Sequence, residues 1–260
     1  MADVPDPLPQ SADNGGPQTH RTIDRVTQIL EEVVYHPGMT FADLVRALDA
    51  PRSSVHGFIR GLLAKGWLYE EDHRFYLGPA VYGLTMVSGH IRAGLVTHAD
   101  LAELNKKSGV AVFLGVQAGD HVINIDEAGA DPLTGFAARK NIRRTMLATA
   151  GGKVLLSSRP QAERDAFLRR HARDEAELVE QFLAEYDGIK ETGIARNTLH
   201  AGKRFAIATA VKNQSGQVVA ETTLVGATEE VEPRVDELCE LLVRHVNSWR
   251  ERSLKAREAI

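Results

Sequence analysis

The chain has 260 residues, room for one large domain or two smaller ones, and its texture changes midway in a manner that favours two. A charged fraction of 25% and a hydrophobic fraction of 43% are those of an ordinary globular protein, and no apolar run approaches the ~18 residues of a membrane span, so a cytosolic protein with no membrane partner is expected. A single cysteine excludes an internal disulfide framework, and a formal net charge of -4 argues against a chain coated in Lys and Arg for indiscriminate polyanion binding.

"MADVPDPLPQSADNGGPQTH" has neither the basic start nor the apolar stretch of a signal peptide and little to bury, so residues 1–20 read as a disordered tail. From Arg21 to Val34, apolar residues at Ile23, Val26, Ile29, Leu30, Val33 and Val34 fall on one helical face. "HPG" ends that helix. "TFADLVRALDA" follows with Thr40 as N-cap and Asp43 three residues on, a partial capping box. A third helix, "PRSSVHGFIRGLLAKG", begins at Pro51 and closes at Gly66. "WLYEEDHRFYLG" then reads as a β-hairpin around a polar "EEDH" turn.

Three helices and a hairpin make a winged helix-turn-helix over 21–78. Its third helix has Arg52, Ser53, Ser54, His56 and Arg60 on the face that would meet DNA, and no acid between Pro51 and Lys65. Two readings fit, a DNA reader and a protein-interaction module. Glu70, Glu71 and Asp72, offset only by His73 and Arg74, predict a wing tip that lies off the phosphates or contributes little.

A linker helix is expected over 79–94, then a second domain over 95–252 and a short tail at 253–260. "VAVFLGVQAGDHVINIDEA", "LTGFAA" and "RFAIATAVKNQSGQVVAETTLVGA" are β-rich, with helical patterns at about 150–158, 161–190 and 231–252. This order predicts an α+β fold, an antiparallel sheet with helices packed on it. Cys239 falls in the last helical pattern as a small structural residue.

"ATAGGKVLLSS" places Gly151-Gly152-Lys153 before an apolar run, yet a phosphate-binding loop needs G-x-x-x-x-G-K-S/T, and Leu147 and Val154 occupy the first-glycine and hydroxyl positions. What remains is a helix start capped by Thr149. It is read either as an anion site offering the amides of Ala150 and Gly151 or as an ordinary capped helix whose glycines permit close packing. Lys153 is expected to point to solvent or to a neighbouring acid. No G-x-S-x-G elbow, H-E-x-x-H pair or metal-ligand histidine spacing is present, so no catalytic residue, metal or cofactor is assigned.

Together, "PRSSVHGFIRGLLAKGWL", "LATAGGKVLL" and "FAIATAVKNQSGQVVAETTLVGA" resemble, in order, the recognition helix and two signatures of the IclR family of bacterial transcriptional regulators. The resemblance covers roughly residues 21–250. It implies a C-terminal GAF-like domain that binds a small effector, and dimers or tetramers on palindromic double-stranded operator DNA. Carried over by position, it implies an effector pocket of Phe136, Arg144, Ala150, Gly151, Asn197, Ala206, Thr223 and Val225, suited to an organic or aromatic acid. Gly57 stands where the family commonly has a long polar residue. Thr145 and Leu147 replace a proline and a histidine, and Ala206 replaces a frequent cysteine, so a pocket more apolar than usual is expected.

Overall fold

The computed structural model describes residues 20–88, 96–135 and 143–258. The expected N-terminal tail through residue 19, the later part of the linker segment at 89–94, and Phe136 lie outside them.

Arg21–Tyr35 forms helix α1, whose apolar stripe buries Ile29 and Val33. A two-residue strand β1, Met39–Thr40, leads into α2, Phe41–Leu48. The capping box is complete: Asp43 N donates to Thr40 Oγ1 at 3.3 Å and Thr40 N donates to Asp43 Oδ2 at 2.9 Å, so one start-of-helix amide and its cap are satisfied reciprocally. Helix α3 spans Arg52–Ala64, with Pro51 in the cap position rather than inside the helix. Strands β2, Leu68–Glu71, and β3, Arg74–Leu77, form the wing in a sheet of order β1-β3-β2. The wing turn is tighter than the "EEDH" expectation. Glu70 and Glu71 belong to β2, and Asp72 and His73 alone turn the chain, both left-handed at φ 51 and 59, the geometry a two-residue hairpin requires. Val55, Ile59, Leu62, Leu68 and Phe75 close this core with the α1 and α2 residues, each contributing roughly 1.5–3 kcal/mol of burial.

Helix α4, Pro79–Ser88, leaves the wing, and α5, His98–Ser108, starts the second domain with a Thr97–Asp100 capping box. Six strands follow: β4, Ala111–Ala118; β5, His121–Ala128; β6, Arg143–Thr145; β7, Ile194–Leu199; β8, Arg204–Lys212; and β9, Val218–Ala227. All pairs are antiparallel in the order β6-β5-β4-β9-β8-β7.

Both faces of this sheet are covered, and the two-residue strand period sorts side chains between them. Phe113, Ala206, Ala208 and Val225 pack under α6, Ala150–Ser157, α7, Gln161–His171, and α8, Ala176–Thr192. Their neighbours Val112, Leu114, Ile207 and Leu224 pack against α5 and α10, Val235–Glu258. Before α10 come a short helix α9, Thr228–Val231, and a 3-10 turn at Glu232–Arg234. Cys239 is half-buried against the second core, and burial pushes its thiol up, leaving it an inert packing residue.

Four expectations need correction. The pattern at 161–190 is two helices: Asp174 N and Glu175 N both bond the His171 carbonyl and end α7. Phe167 and Leu178 are about three turns apart, so the apolar phase runs through the break and hides it. Leu133–Gly135 is a turn rather than strand, because Asp131 Oδ1 accepts from the amides of Leu133 (3.0 Å) and Thr134 (2.8 Å); residues 136–138 of that run lie outside the described residues. Strands β6 and β7 are additions, each an edge strand with one partner and polar enough to lack an apolar signature. Residues 253–258, expected as tail, continue α10, since "SLKARE" is rich in good helix formers.

Candidate functional site

The N-terminal module presents α3 outward. Arg52, Ser53, Ser54, His56 and Arg60 are all exposed, while Val55, Ile59 and Leu62 fix the opposite face in the core. The Arg52 guanidinium lies 5.2 Å over the Phe41 ring, and the His56 ring meets Phe41 edge-on at 6.0 Å, so one aromatic on α2 orients two side chains of the exposed face. Arg74 is committed elsewhere: its Nη1 donates to the Gly38 carbonyl at 2.9 Å. His73 remains near the wing acids, 3.4 Å from Glu70.

In the second domain, Arg144, Ala150, Gly151, Ala206, Thr223 and Val225 line one cavity. The walls come from β6, the first turn of α6 and the inner face of β8 and β9. Asn197 is on the same ladder, paired with Ala206, but its Nδ2 donates to the Ala148 carbonyl at 2.9 Å and holds the approach to α6. Leu199, two residues along β7, reaches the cavity instead. The cavity volume is about 40 Å³, room for a few waters and well short of the ~300–1,000 Å³ typical of ligand pockets.

The glycines of α6 have separate duties. Thr149 caps the helix, its Oγ1 accepting from Gly152 N at 3.1 Å. A methyl group at Gly152 would overlap the Met146 backbone, which is the close packing of an ordinary capped helix. A methyl group at Gly151 would instead overlap the carboxylate of Glu221. Lys153 is only 1% exposed, and its Nζ donates to both oxygens of Glu185 at 3.0 and 2.8 Å, so of the two expected directions it takes the acid.

Glu221 is the residue the sequence reading missed. It is on β9, 2% exposed, lining the cavity, with Thr223 Oγ1 donating to its Oε2 at 2.5 Å. Its signal was available: an acid inside "VVAETTLVGA", on the strand face shared with Thr223 and Val225. The expected apolar pocket is therefore corrected, since Glu221, Arg144, Asn124 and Thr134 all line it. A separate cleft of about 230 Å³ borders the last turn of α6, with Lys190, Lys212 and Arg250 and no acid in its lining. Among the described residues no group of three or more His, Cys, Asp or Glu side chains is placed to hold a metal ion, and no helix is long and apolar enough to cross a membrane.

A winged helix with a basic outward helix is thus joined to a sheet domain with a small polar cavity, the architecture of a two-domain winged-helix protein. Residues 22–72 match the IclR helix-turn-helix domain and residues 87–248 match the bacterial transcriptional regulator IclR C-terminal domain, so the chain belongs to the IclR family of transcriptional regulators. It is 28% identical over 152 residues to the HTH-type transcriptional regulator BhcR of Paracoccus denitrificans, a match covering 56% of this chain and about half, 52%, of that relative. An IclR homolog of Microbacterium hydrocarbonoxydans, solved in complex with 4-hydroxybenzoate, superposes with a TM-score of 0.71 at 18% identity, covering 90% of this chain and 99% of that one. An IclR regulator of Alicyclobacillus acidocaldarius gives 0.65 at 18% identity, covering 90% and 100%. These structural likenesses establish the shared fold.

Proposed function

We propose that this chain is an effector-responsive regulator, and specifically a repressor, acting in the cytoplasm as a homodimer or homotetramer on double-stranded operator DNA. The observation that carries the DNA half is the exposed, acid-free start of α3. Ser53 and Ser54 would donate to phosphates and Arg52 or Arg60 would take a guanine edge. The wing tip, with Glu71 and Asp72 exposed, would stand off the backbone.

The effector would be a small carboxylate-bearing metabolite in the cavity beside α6, its acid group directed to Arg144. Arg144 is half-buried, lines the cavity and enters no ion pair among the described residues. The 4-hydroxybenzoate bound by the Microbacterium homolog makes aromatic acids the first class to try. Effector binding would change operator affinity only through unequal affinity for two arrangements of the domains, passed along the linker that begins with α4.

Retention of DNA from upstream of its own coding region tests the first half, with loss expected in an Arg52→Ala/Arg60→Ala variant. Equal retention by that variant would remove α3 from the interface. Titrating 4-hydroxybenzoate and other organic acids against the protein–DNA complex tests the second half, and an operator affinity that never moves counts against it. The small cavity volume supports one other reading, a regulator whose cavity takes no ligand; no acid would then shift thermal stability either.

A further inference from the structure

The cleft of about 230 Å³ opens at the opposite end of α6 from the cavity that Arg144 lines. Helix α6 has eight residues, so ~12 Å separates its two ends, and the two spaces share no lining residue. The cleft exists because β7 starts late. Ile194 pairs with Thr209, and β8 runs on through Ala210 to Lys212 with no strand on that side. The ends of α6 and α8 and part of α10 wall the gap.

Its charge is one-sided. Lys190 from α8, Lys212 from β8 and Arg250 from α10 line it, no acid does, and none of the three side chains enters an ion pair or hydrogen bond among the described residues. By contrast, Arg204 and Arg252 are committed to Asp131 and Asp100. Arg250 is half-buried, and its Nε is out of water without an acceptor. Such a donor costs roughly 1–3 kcal/mol to leave unmet, and a guanidinium cannot shed its charge, so an incoming oxyanion would relieve it. The helix ends act the other way. Helices α6 and α8 both finish at the cleft, each with about half a negative charge. Ser157 Oγ and Ser158 N already occupy the Val154 carbonyl and Gly193 N the Ile189 carbonyl, and three full cations outweigh two half charges.

We propose that this cleft is a second ligand site, for a small phosphate-bearing molecule. A phosphate group offers three strong acceptor oxygens and a charge near two. With a small rotation the Arg250 fork takes two oxygens through Nε and an Nη, and Lys190 and Lys212 reach the third. A single carboxylate would leave two of the three cations unanswered. The cleft is smaller than the ~300–1,000 Å³ of drug-sized pockets, so only a few atoms beyond the phosphate fit, against Val154, Ile189 and Val243.

Inorganic phosphate, glycerol phosphate and malonate are the probes, titrated into the full chain by calorimetry and thermal shift against chloride at matched ionic strength. The unsubstituted protein is expected to bind a phosphate probe with a Kd of about 1 mM or tighter. Arg250→Met should weaken that binding about tenfold or more, and Lys190→Ala/Lys212→Ala should weaken it comparably. Both lysines are exposed, so the double variant decides the matter should Arg250→Met fail to fold. Arg144→Ala, at the other cavity, should keep the phosphate affinity. Tighter binding of glycerol phosphate than of inorganic phosphate assigns the site to a phosphorylated metabolite, and the reverse order assigns it to free phosphate. The proposal is overturned if neither phosphate probe binds, if malonate binds more tightly than both, if the Arg250 or the double lysine variant keeps full affinity, or if Arg144→Ala abolishes binding. No DNA enters the experiment and Arg144 is outside the cleft, so effector control of the operator stands or falls separately.

Discussion

Lys153 is sealed beneath α8 with its ammonium held by Glu185, which itself keeps a 37% exposed side chain. The pair is lopsided: one partner has left water, the other has not. Removing the exposed partner should therefore cost more. Glu185→Ala strands a buried cation and is expected to lose about 3–5 kcal/mol, whereas Lys153→Met leaves a carboxylate that water can reach and should come close to neutral. Urea unfolding of both variants decides this, and a larger loss in Lys153→Met would show that the buried ammonium is not what the ion pair protects.

The two α6 glycines should separate in mutagenesis. At Gly152 the obstacle is the Met146 backbone, which cannot step aside, so Gly152→Ala is expected to destabilise by roughly 1–3 kcal/mol. At Gly151 the obstacle is the end of the Glu221 side chain, which can move. Gly151→Ala should be milder in thermal unfolding yet alter the response to ligands. Equal losses of stability would mean that Glu221 is as rigid as backbone.

Gly61 lies on the exposed side of α3, and nothing comes within 4 Å of a methyl group added there. Helix interior glycine is unfavourable by ~0.5–1 kcal/mol relative to alanine, so Gly61→Ala should raise stability by about that amount. Gly57 has the same open space, and Gly57→Arg should strengthen DNA binding and steepen its salt dependence if α3 enters the groove as proposed. An unchanged salt slope would put Gly57 outside the DNA face.

Asp100 couples stability to acid. Burial opposes its charge, but hydrogen bonds from Arg252 of α10 (2.6 and 2.7 Å) and from Thr97 outweigh it and hold the carboxyl below its ordinary value of 3.8. A group whose folded value is depressed stabilises the fold above its unfolded value, and that contribution is lost as pH falls through the folded one. The link between α5 and α10 is therefore intact at neutral pH; its contribution begins to decline only as pH falls below the ordinary value of 3.8 and is lost through the still lower folded one. Asp100→Asn should lower stability at pH 7 and flatten the acid limb of the stability–pH curve, and an unaltered limb would assign acid sensitivity to other carboxylates.

Local signals carried much of this structure into the sequence. Thr40 and Asp43 declare a helix start because their chemistry is complete within three residues, and Thr149 does the same for α6. The β4–β5 and β8–β9 hairpins were legible from apolar runs closed by Gly119 and Gly216. What escaped depends on distant partners. β6 and β7 are strands because β5 and β8 offer open edges, not because "RRT" or "IARNTL" has β character. Glu221 shares its strand face with Thr223 and Val225, but the slot that Gly115 and Gly151 open for it comes from two other elements and is not written in β9 itself. The resemblance located the walls of the cavity but not the acid inside it.

Three positions on three elements, Gly115, Gly151 and Glu221, fit one another. Shortening Glu221 alone leaves a hole, and enlarging either glycine alone produces a collision. The packing at this point is thus sensitive to single substitutions, and a chain that enlarged either glycine would have to shorten or displace Glu221 in the same step.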